Sequence, residues 1–427
     1  MGSNGSAARA TGIGSPGNQI IVVGGGIVGM AIGHALLREG RRVVVIDPGL
    51  AEQRCSYGNA GSLSSSSVAP LGMPGVVRQV PGWLLDPQAP LYVNAAYWLR
   101  VTPWLIRFVL ASNRTKVEGI SHALSSLLRT TIPLYSQLLQ EIGASDLLSR
   151  RGQLQLYPSH EYRARDDAVW RLKRERGAEV TYVERGEITD LEPNIGERYA
   201  CGVFLPEEGL VTNPGRLIEQ LAASFASRGG VIATSRVRSF QLESGAVAGV
   251  VTDTGITRAS AVVVAAGAWS SNLSRQLGDN LPLQTQRGYH VMLPQSGVSV
   301  SRPVVAADRK YFVSPMETGL RIAGTVEFDD LNKPPNYDRA RTLMRSVTEL
   351  FPDIDTSAAT MWMGNRPCFP DSLPVIDRAS RHSNVLYAFG NGHLGLTAAP
   401  MMGLVIADMI EGRKPRIDLA PFAVSRF

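Results

Sequence analysis

Three glycines and an aspartate near the start of the chain have the types and spacing that phosphate and sugar recognition requires. In the segment GGGIVG, Gly24 permits a tight turn, Gly26 removes the side chain that would block a pyrophosphate, and Gly29 lets a helix pack closely on a sheet. The carboxylate of Asp47 can accept hydrogen bonds from ribose hydroxyls, and the first N–H groups of the helix can bind phosphate. The predicted contacts at this turn are Gly24, Gly26, Ile27, Val28, Gly29 and Asp47.

Positioning these residues requires a strand, a helix and a second strand, and the hydrophobic pattern predicts all three. Ile20–Val23 is a β-branched run typical of a strand, Met30–Leu37 has helical periodicity, and Val43–Ile46 is a second apolar strand that ends in Asp47. The order strand, glycine turn, helix, strand, acid predicts a dinucleotide-binding unit. A glycine turn with a purely structural role is the alternative.

Two further turns that contain glycine follow apolar strands later in the chain. Ala259–Gly267 ends in small residues, where backbone can approach a flat or charged group. Val385–Phe389 leads into the turn Gly390–Gly395 and an apolar helix that runs to Ile410. Because no strand with a terminal acid follows, we expect this helix N-terminus to face an anion, such as the N1 and C2=O region of a reduced flavin.

The composition limits the class of protein. The 427 residues are 44% hydrophobic and 19% charged, which predicts a globular chain of two or three domains. The net charge of +6 suits an anionic substrate or a phosphate-bearing cofactor, and because no aromatic ladder accompanies the basic residues we expect no nucleic-acid partner. Cys55, Cys201 and Cys368 lie far apart without a metal-binding motif, so we expect no disulfide framework, no metal and a reducing compartment.

Two segments bear on where the protein is located. Residues 1–18 are rich in Gly and Ser without the apolar core of a signal peptide, so we expect a flexible leader or tag and a cytoplasmic protein. Tyr97–Leu110 predicts an apolar helix with Arg100 and Arg107 on one side. We expect this helix to pack on the sheet of a substrate domain. The alternative is peripheral contact with the inner membrane.

Seven segments occur in a fixed order along the chain. They are VVGGGIVGMAIGHALLREGRRVVVID, SYGNAGSLS, VVVAAGAWS, GYHVML, GLRIAGTVEF, GNRPCFPDSLPVID and GNGHLGLTAAPMMGLVIADMI. Together they resemble the FAD-dependent D-amino acid oxidase superfamily. The sequence is most similar to its bacterial D-amino acid dehydrogenase branch, through SYGNAG and the closing PFAVSRF. The resemblance extends from about residue 20 to Phe427.

The resemblance implies an α/β fold of two interleaved domains. One is a Rossmann-like FAD-binding domain of the glutathione-reductase type, and the other is an α+β substrate domain built on an antiparallel sheet. The FAD-binding domain would comprise residues 19–80, 205–284 and 362–427, and the substrate domain residues 81–204 and 285–361. Alternation within the second segment of the substrate domain predicts strands at His290–Leu293, Lys310–Val313 and Leu320–Gly324.

The resemblance also implies the remaining contacts with FAD, which would be bound without a covalent link. Backbone after the first βαβ unit would lie along the flavin, although a plain surface loop is the alternative there. The strand that reaches Val237 would meet the adenine, and the Cys368 thiol would be inert. The implied contacts are Asn59, Ala60, Gly61, Ser62, Val237, Ala266, Gly267, Trp269, Gly364, Gly392, His393, Leu394, Gly395, Leu396 and Thr397.

The implied activity is oxidation of the Cα–N bond of a D-amino acid, with a cyclic imino acid such as a D-proline derivative as one candidate. Hydride would leave Cα for flavin N5 and the imino product would hydrolyse in water, so positioning carries most of the catalysis. Electrons would pass to a quinone or another carrier rather than to oxygen. Two alternatives stay open: a sarcosine or glycine oxidase that uses oxygen, and a non-catalytic flavin subunit of a hetero-oligomer. A homo-oligomer is also compatible with the sequence.

Four residues are predicted to act on the substrate. Arg366 matches the arginine of the family's G-x-R-P segment and would bind the substrate carboxylate as a bidentate fork, unless it pairs with Asp371. Tyr311 and Tyr289 would present hydroxyls to the carboxylate, with packing as the alternative role. His393 would hydrogen-bond the flavin or the substrate, or cap the helix that follows.

Overall fold

The computed structural model describes residues 19–49, 54–75 and 91–427. The expected leader, residues 1–18, lies outside them. The strands are β1 (Gln19–Val23), β2 (Arg42–Asp47), β3 (Ser62–Leu63), β4 (Leu91–Val93), β5 (Leu148–Ser149), β6 (Gln153–Tyr157), β7 (Thr181–Glu184), β8 (Cys201–Leu205), β9 (Gly209–Val211), β10 (Val231–Thr234), β11 (Val237–Glu243), β12 (Ala246–Thr252), β13 (Gly255–Arg258), β14 (Ala261–Val264), β15 (Gln284–Leu293), β16 (Val304–Ala306), β17 (Tyr311–Met316), β18 (Gly319–Phe328), β19 (Thr360–Cys368), β20 (Val375–Ala379) and β21 (His382–Phe389). The α-helices are α1 (Ile27–Arg38), α2 (Trp98–Ala111), α3 (Arg114–Leu128), α4 (Thr131–Glu141), α5 (His160–Ala164), α6 (Asp167–Glu175), α7 (Arg185–Leu191), α8 (Pro214–Ser227), α9 (Ser270–Gln276), α10 (Asp338–Leu350) and α11 (Gly395–Ile410).

A six-stranded sheet forms the core of the first layer, in the order β10-β2-β1-β14-β21-β20. The first five of these strands run parallel, and β20 pairs antiparallel with β21 at the edge. All five residues of β1 are buried, as expected for a parallel strand covered on both faces. Helices α1, α8 and α11 cover one face, and the meander β11-β12-β13 lies against the other. The predicted βαβ unit is confirmed as β1, α1 and β2.

A second, largely antiparallel sheet has the order β19-β15-β18-β17-β16-β6-β8-β7, with β4 beside β18. The three strands predicted by alternation are present as β15, β17 and β18, each longer than predicted. One face of this sheet packs against α10 through residues such as Val291, Ile322 and Val347. The opposite face contacts the loop at Tyr57–Asn59 through His290 and Arg321.

The structure departs from the expected domain division in two places. The expected boundary at 361/362 falls inside β19, which pairs along its length with β15 and so belongs to the antiparallel sheet. Helices α3 and α4, inside the segment 81–204, bury Leu124 and Leu138 in the same core as α1 and α11. Helical periodicity shows that a segment has an apolar face, but it does not identify the sheet or helix that covers the face.

Helix α2 corresponds to the predicted helix over Tyr97–Leu110. It buries Val101 and Trp104 against Phe328 of β18, which agrees with packing on the antiparallel sheet. Its outer side exposes Leu99 at 91% and Leu110 at 60% of their surface. Among the helices of the described residues, none is long and apolar enough to cross a membrane.

Candidate active site

The three turns that contain glycine converge in space because they follow neighbouring parallel strands. β1, β14 and β21 are adjacent in the sheet, so Gly24, Ala265 and Gly390 leave the same edge of it. A cavity of about 350 Å³ opens at this edge. Ligand pockets in open parallel sheets lie at this position, outside the carboxyl ends of the strands.

Most of the predicted cofactor contacts lie around this cavity. The predicted residues that line it are Gly24, Gly26, Ile27, Val28, Asp47, Asn59, Val237, Ala266, Gly267, Trp269, Gly392, Gly395 and Leu396. The predicted residues that are not part of its lining are Gly29, Ala60, Gly61, Ser62, Gly364, His393, Leu394 and Thr397.

The first glycine turn is shaped for close backbone approach. Gly24 has a φ of +111°, and a Cβ there would overlap the carbonyl of Ala265, which directly follows the neighbouring strand β14. A Cβ at Gly29 would overlap the carbonyl of Gly24, which agrees with the predicted close packing of α1 on the sheet. At Gly26 a Cβ would have only Ser56 Oγ near it, at 3.4 Å, and would otherwise project into the cavity. The turn therefore leaves room for a phosphate group beside the N-terminus of α1.

Asp47 ends β2 as predicted, and protein groups surround its carboxylate. Oδ2 accepts a hydrogen bond from the N–H of Gly25 at 2.7 Å, and Oδ1 accepts one from Gly49 at 2.9 Å. The guanidinium of Arg54 pairs with Oδ1 at 2.6 Å. Arg54 also lines the cavity and was not predicted from the sequence. Ribose binding by Asp47 stays a prediction, and Arg54 is an additional candidate at this end of the cavity.

The second helix N-terminus also lies at the cavity. Gly395 and Leu396, the first residues of α11, line it, so free N–H groups of a 16-residue helix are available to a negatively charged ligand. The carbonyl of Leu396 accepts a hydrogen bond from the hydroxyl of Tyr135 at 2.7 Å. The hydroxyl of Thr397 lies between the carbonyl of Ser62, at 3.4 Å, and the N–H of Ser64, at 3.5 Å. Thr397 thus fixes the loop beside the helix.

Two asparagines that the sequence analysis did not single out give the strongest sign of a ligand. The side-chain amide oxygens of Asn365 and Asn391 are buried, have no hydrogen-bond partner among the described residues, and belong to residues that line the cavity. Buried amide groups are normally paired. FAD carries ribityl hydroxyls and a ring N–H that can donate to such groups, so these residues fit the cofactor that the sequence implies. The sequence could have marked these two asparagines as candidates, because they lie inside the segments GNRP and GNG.

The loop from Tyr57 to Ser62 is held by the antiparallel sheet. Arg321 donates to the carbonyl of Asn59 at 2.6 Å, and Nδ1 of His290 donates to the carbonyl of Gly58 at 2.9 Å. Burial, and then the charge of Arg321, lower the pKa of His290 to about 3, so its ring is neutral. Asn59 lines the cavity, and its contact with the flavin stays a prediction. His290 itself is buried, with 5% of its surface exposed.

Arg366 lies next to the cavity without a carboxylate partner. It sits on β19 between Asn365 and Pro367, which both line the cavity, and its charge acts on the thiol of Cys55 in the cavity wall. Nη1 donates to the carbonyl of Thr325 at 3.2 Å, and among the described residues no carboxylate pairs with the guanidinium. Burial lowers the pKa of Arg366, but an arginine stays charged in a protein. A half-buried guanidinium that pairs with no carboxylate of the described residues favours binding of an anion.

Tyr289 and Tyr311 lie on the other face of the sheet from Arg366. Arg366 pairs across the strands with Gln286, and side chains alternate along β15, so Tyr289 points to the face covered by α10. Its hydroxyl donates to Glu327 and accepts from the N–H of Asn336. The structure does not bring this tyrosine to the cavity, which corrects the prediction for it.

Tyr311 also lies on the face of the sheet that α10 covers. It lies opposite Gly324, which lies opposite Tyr289, so both tyrosines share one face. The hydroxyl of Tyr311 donates to the carbonyl of Ser346 in α10 at 3.0 Å, and the side chain is fully buried. The prediction that it presents a hydroxyl to the substrate is therefore corrected as well. The packing role, left open as the alternative, is the one that the geometry supports.

His393 lies in the turn before α11, close to Arg366. Its ring is exposed and has no hydrogen-bond partner among the described residues. Desolvation by the nearby protein, and then the charge of Arg366, lower the pKa of His393 to about 4. The neutral imidazole is able to accept a proton or a hydrogen bond. The N-cap residue of α11 is Leu394, so the structure gives His393 no capping bond.

Two buried thiols border the same region. Cys55 lines the cavity, and the sulfur of Cys368 lies beside Gly392. Burial raises the pKa of both thiols to about 12, so both are protonated at neutral pH. A protonated thiol is a poor nucleophile, which supports the expectation that Cys368 is inert.

Comparison with known proteins identifies the family. A model described as "FAD dependent oxidoreductase", DAO, matches residues 19–409. A "D-amino-acid oxidase" of Bradyrhizobium diazoefficiens is 38% identical over 96% of this chain and 99% of its own. A "D-amino acid dehydrogenase" of Methylobacterium sp. is 30% identical over 96% of this chain and 99% of its own.

Solved structures share the fold. Glycine oxidase from Geobacillus kaustophilus superimposes with a TM-score of 0.74 at 23% identity, covering 97% of this chain and all of that one. L-Proline dehydrogenase from P. horikoshii gives a TM-score of 0.72 at 19% identity, covering 96% of this chain and 98% of that one. With the glycine turns, the cavity and the family match in agreement, the chain belongs to the DAO family of FAD-dependent oxidoreductases.

Proposed function

We propose that this protein oxidises D-amino acids, with Arg366 binding the substrate carboxylate beside the flavin. The observation that carries the proposal is the guanidinium of Arg366 next to a cavity lined by three glycine turns, where no carboxylate of residues 19–49, 54–75 or 91–427 pairs with it. The printed names of the relatives, D-amino-acid oxidase and D-amino acid dehydrogenase, support the substrate class.

Arg366 would act by binding and orientation. Two parallel N–H groups of a guanidinium match the two oxygens of a carboxylate, which fixes the substrate at one end. Thr325 holds the side chain through its carbonyl, and it leaves donors of the guanidinium available. FAD, when bound, supplies the acceptor for the hydride that leaves Cα. Since the chemistry asks little else of the protein, a correctly placed Cα–H is the main contribution of the residues to the rate.

His393 would accept the proton that the substrate amine must lose. An amino acid binds largely as the ammonium form, and the amine needs its lone pair before hydride can leave Cα. The neutral ring of His393, near Arg366, is the candidate acceptor within the described part of the chain.

The acceptor of the electrons is a separate question. The sequence analysis favoured a carrier other than oxygen, and the dehydrogenase names of several relatives support it. Oxygen is the second candidate acceptor, because one relative is named D-amino-acid oxidase. Contact with a membrane surface, where a quinone would be available, was the alternative for α2, and the exposed Leu99, Ile106 and Leu110 keep it open. Cosedimentation with anionic vesicles, compared with neutral ones, tests that contact.

Anaerobic mixing with pairs of enantiomers tests the proposed function. We expect D-alanine, D-leucine or D-proline to bleach the visible absorbance of the flavin while the L-enantiomers leave it unchanged. Admission of oxygen then decides the acceptor, because an oxidase returns to the yellow form with release of hydrogen peroxide. A flavin that no amino acid of either hand reduces would contradict the proposal and favour a non-catalytic subunit.

A further inference from the structure

A pair of glycines on facing strands lies beneath two large side chains of the site. Gly288 of β15 and Gly364 of β19 are directly opposite each other in the antiparallel register. A Cβ on Gly288 would overlap Nε, Cζ and Nη2 of Arg366, and a Cβ on Gly364 would overlap the six-membered ring of Trp362. Both side chains therefore extend over the sheet surface, in the space that these two residues leave empty.

This arrangement brings the guanidinium and the indole side by side. Directly opposite residues in an antiparallel pair have Cβ positions about 5 Å apart. Since the Arg366 guanidinium covers one of these positions and the Trp362 indole covers the other, they lie within about 10 Å of each other on one face of the sheet. A small acid bound by Arg366 would have the indole as its neighbour.

The indole is held by two other contacts. The ring of His290 stacks on it with centroids 4.9 Å apart and an angle of 19° between the planes. A Cβ on Gly58 would overlap the six-membered ring of the indole as well, so the Tyr57–Asn59 loop packs against part of it. Because His290 also donates to the carbonyl of Gly58, one residue fixes both the loop and the indole.

We propose that Trp362 forms the apolar wall against which the Cα side chain of the substrate packs, and that Gly288 is the positioning residue that lets Arg366 reach the carboxylate. The inference rests on the proposed function and narrows the substrate class to amino acids with apolar side chains. An indole surface gains free energy by covering apolar groups and offers a carboxylate or ammonium side chain no countercharge.

Binding of simple carboxylates to the FAD-containing protein tests this without turnover. Acetate and isovalerate are titrated while the visible flavin spectrum is followed. In the wild type we expect isovalerate to bind at least fivefold more tightly than acetate, because its branched chain reaches the indole. In Trp362→Ala the two acids should bind within twofold of each other. A preference in that variant equal to the wild-type preference would overturn the inference.

Substitution of Gly288 tests the proposal that this glycine positions Arg366. Gly288→Ala should weaken both acids at least tenfold and keep the preference for isovalerate, since the new methyl group displaces the guanidinium and not the indole. Gly202→Ala is the matched control, because Gly202 lies in the same sheet with Gln155 O 2.9 Å from its Cβ position, on strands distant from Arg366. FAD content and the thermal unfolding transition confirm that each variant is folded.

The outcomes separate the two proposals. Wild-type affinities in a folded Gly288→Ala would overturn its positioning role. If that variant does not fold, the comparison of wild type with Trp362→Ala still tests whether Trp362 forms the apolar wall. A wild type that prefers isovalerate but is reduced by no amino acid contradicts the proposed function alone. A wild type that amino acids reduce, but in which Trp362→Ala changes no preference, contradicts this inference alone.

Discussion

Nε of Arg426 donates to Oδ2 of Asp371 at 2.8 Å, so the penultimate residue of the chain neutralises the carboxylate that was the alternative partner of Arg366. Arg426 also donates to the carbonyl of Leu373, which fixes the C-terminus against the segment after β19. Within the part of the chain that the structure describes, the guanidinium of Arg366 bonds to the carbonyl of Thr325 and to no carboxylate. Its charge is therefore available to a ligand, and the predictions below depend on this.

Arg366→Ala should lose carboxylate binding and keep the cofactor. We expect a loss of about 2 to 4 kcal/mol, or roughly a 30- to 1000-fold rise in KM, because a charged hydrogen-bonding group is removed from the substrate end of the site. FAD content should match the wild type. Steady-state kinetics with a D-amino acid gives the measurement, and Arg341→Ala, which removes an exposed ion pair with Asp338, is the control. Equal KM values in wild type and Arg366→Ala would contradict the proposal that Arg366 binds the substrate carboxylate.

Gly26→Val should yield protein without bound flavin. The added side chain would meet little protein and would enter the space next to the N-terminus of α1, where we expect the pyrophosphate. The purified variant should be colourless, and the absorbance ratio of flavin to protein measures this. Gly186→Ala is a control, since a Cβ there has no neighbour within 4 Å. A yellow Gly26→Val with normal flavin content would contradict the cofactor site.

Tyr289→Phe and Tyr311→Phe should change stability and leave catalysis alone. Tyr311 loses one hydrogen bond to Ser346, at a cost of about 1 kcal/mol, and Tyr289 loses its bonds to Glu327 and Asn336, at a cost of about 1 to 3 kcal/mol. Urea unfolding measures the loss, and KM and kcat for a D-amino acid should stay within twofold of wild type. A rise in KM as large as that expected for Arg366→Ala would contradict this and indicate that the two tyrosines contact the substrate.

The tyrosines show where sequence reasoning reached its limit. Arg366 and the glycine turns could be predicted because each lies in a local motif whose chemistry depends on nearby residues. Which face a strand residue occupies depends on its register with β19 and on the sheet neighbours, and neither follows from the sequence of one strand. The same holds for Arg321 and His290, whose contacts with the Tyr57–Asn59 loop join positions more than 200 residues apart. Arg54 had no motif to mark it.

His393→Gln should slow flavin reduction without weakening substrate binding. Glutamine keeps hydrogen-bonding groups but accepts no proton near neutral pH, so we expect a fall of roughly 100-fold in the reduction rate, typical of a lost general base. Because the pKa of His393 is about 4, the wild-type dependence on this group should appear only below about pH 5. Rapid anaerobic mixing between roughly pH 4 and 8 gives the rates. A variant as fast as wild type across this range would exclude His393 as the proton acceptor.

Acid should destabilise the fold through His290. Its pKa is about 3 in the folded state and about 6.5 in the unfolded state, so the unfolded state binds the proton more readily. The free energy of unfolding therefore falls as the pH drops below about 6.5, by up to about 1.4 kcal/mol for each pH unit down to the folded pKa. Urea unfolding at pH 7 and pH 5 measures the fall. His290→Gln, which carries no titrating ring, should show a smaller fall, and an equal fall in both proteins would contradict this.

The most direct test is a crystal structure of the FAD-containing protein soaked with isovalerate. Our account predicts both carboxylate oxygens at hydrogen-bond distance, roughly 3 Å, from the guanidinium nitrogens of Arg366, with the ligand beside the flavin. A carboxylate bound elsewhere in the cavity, with Arg366 making no contact to it, would contradict the account.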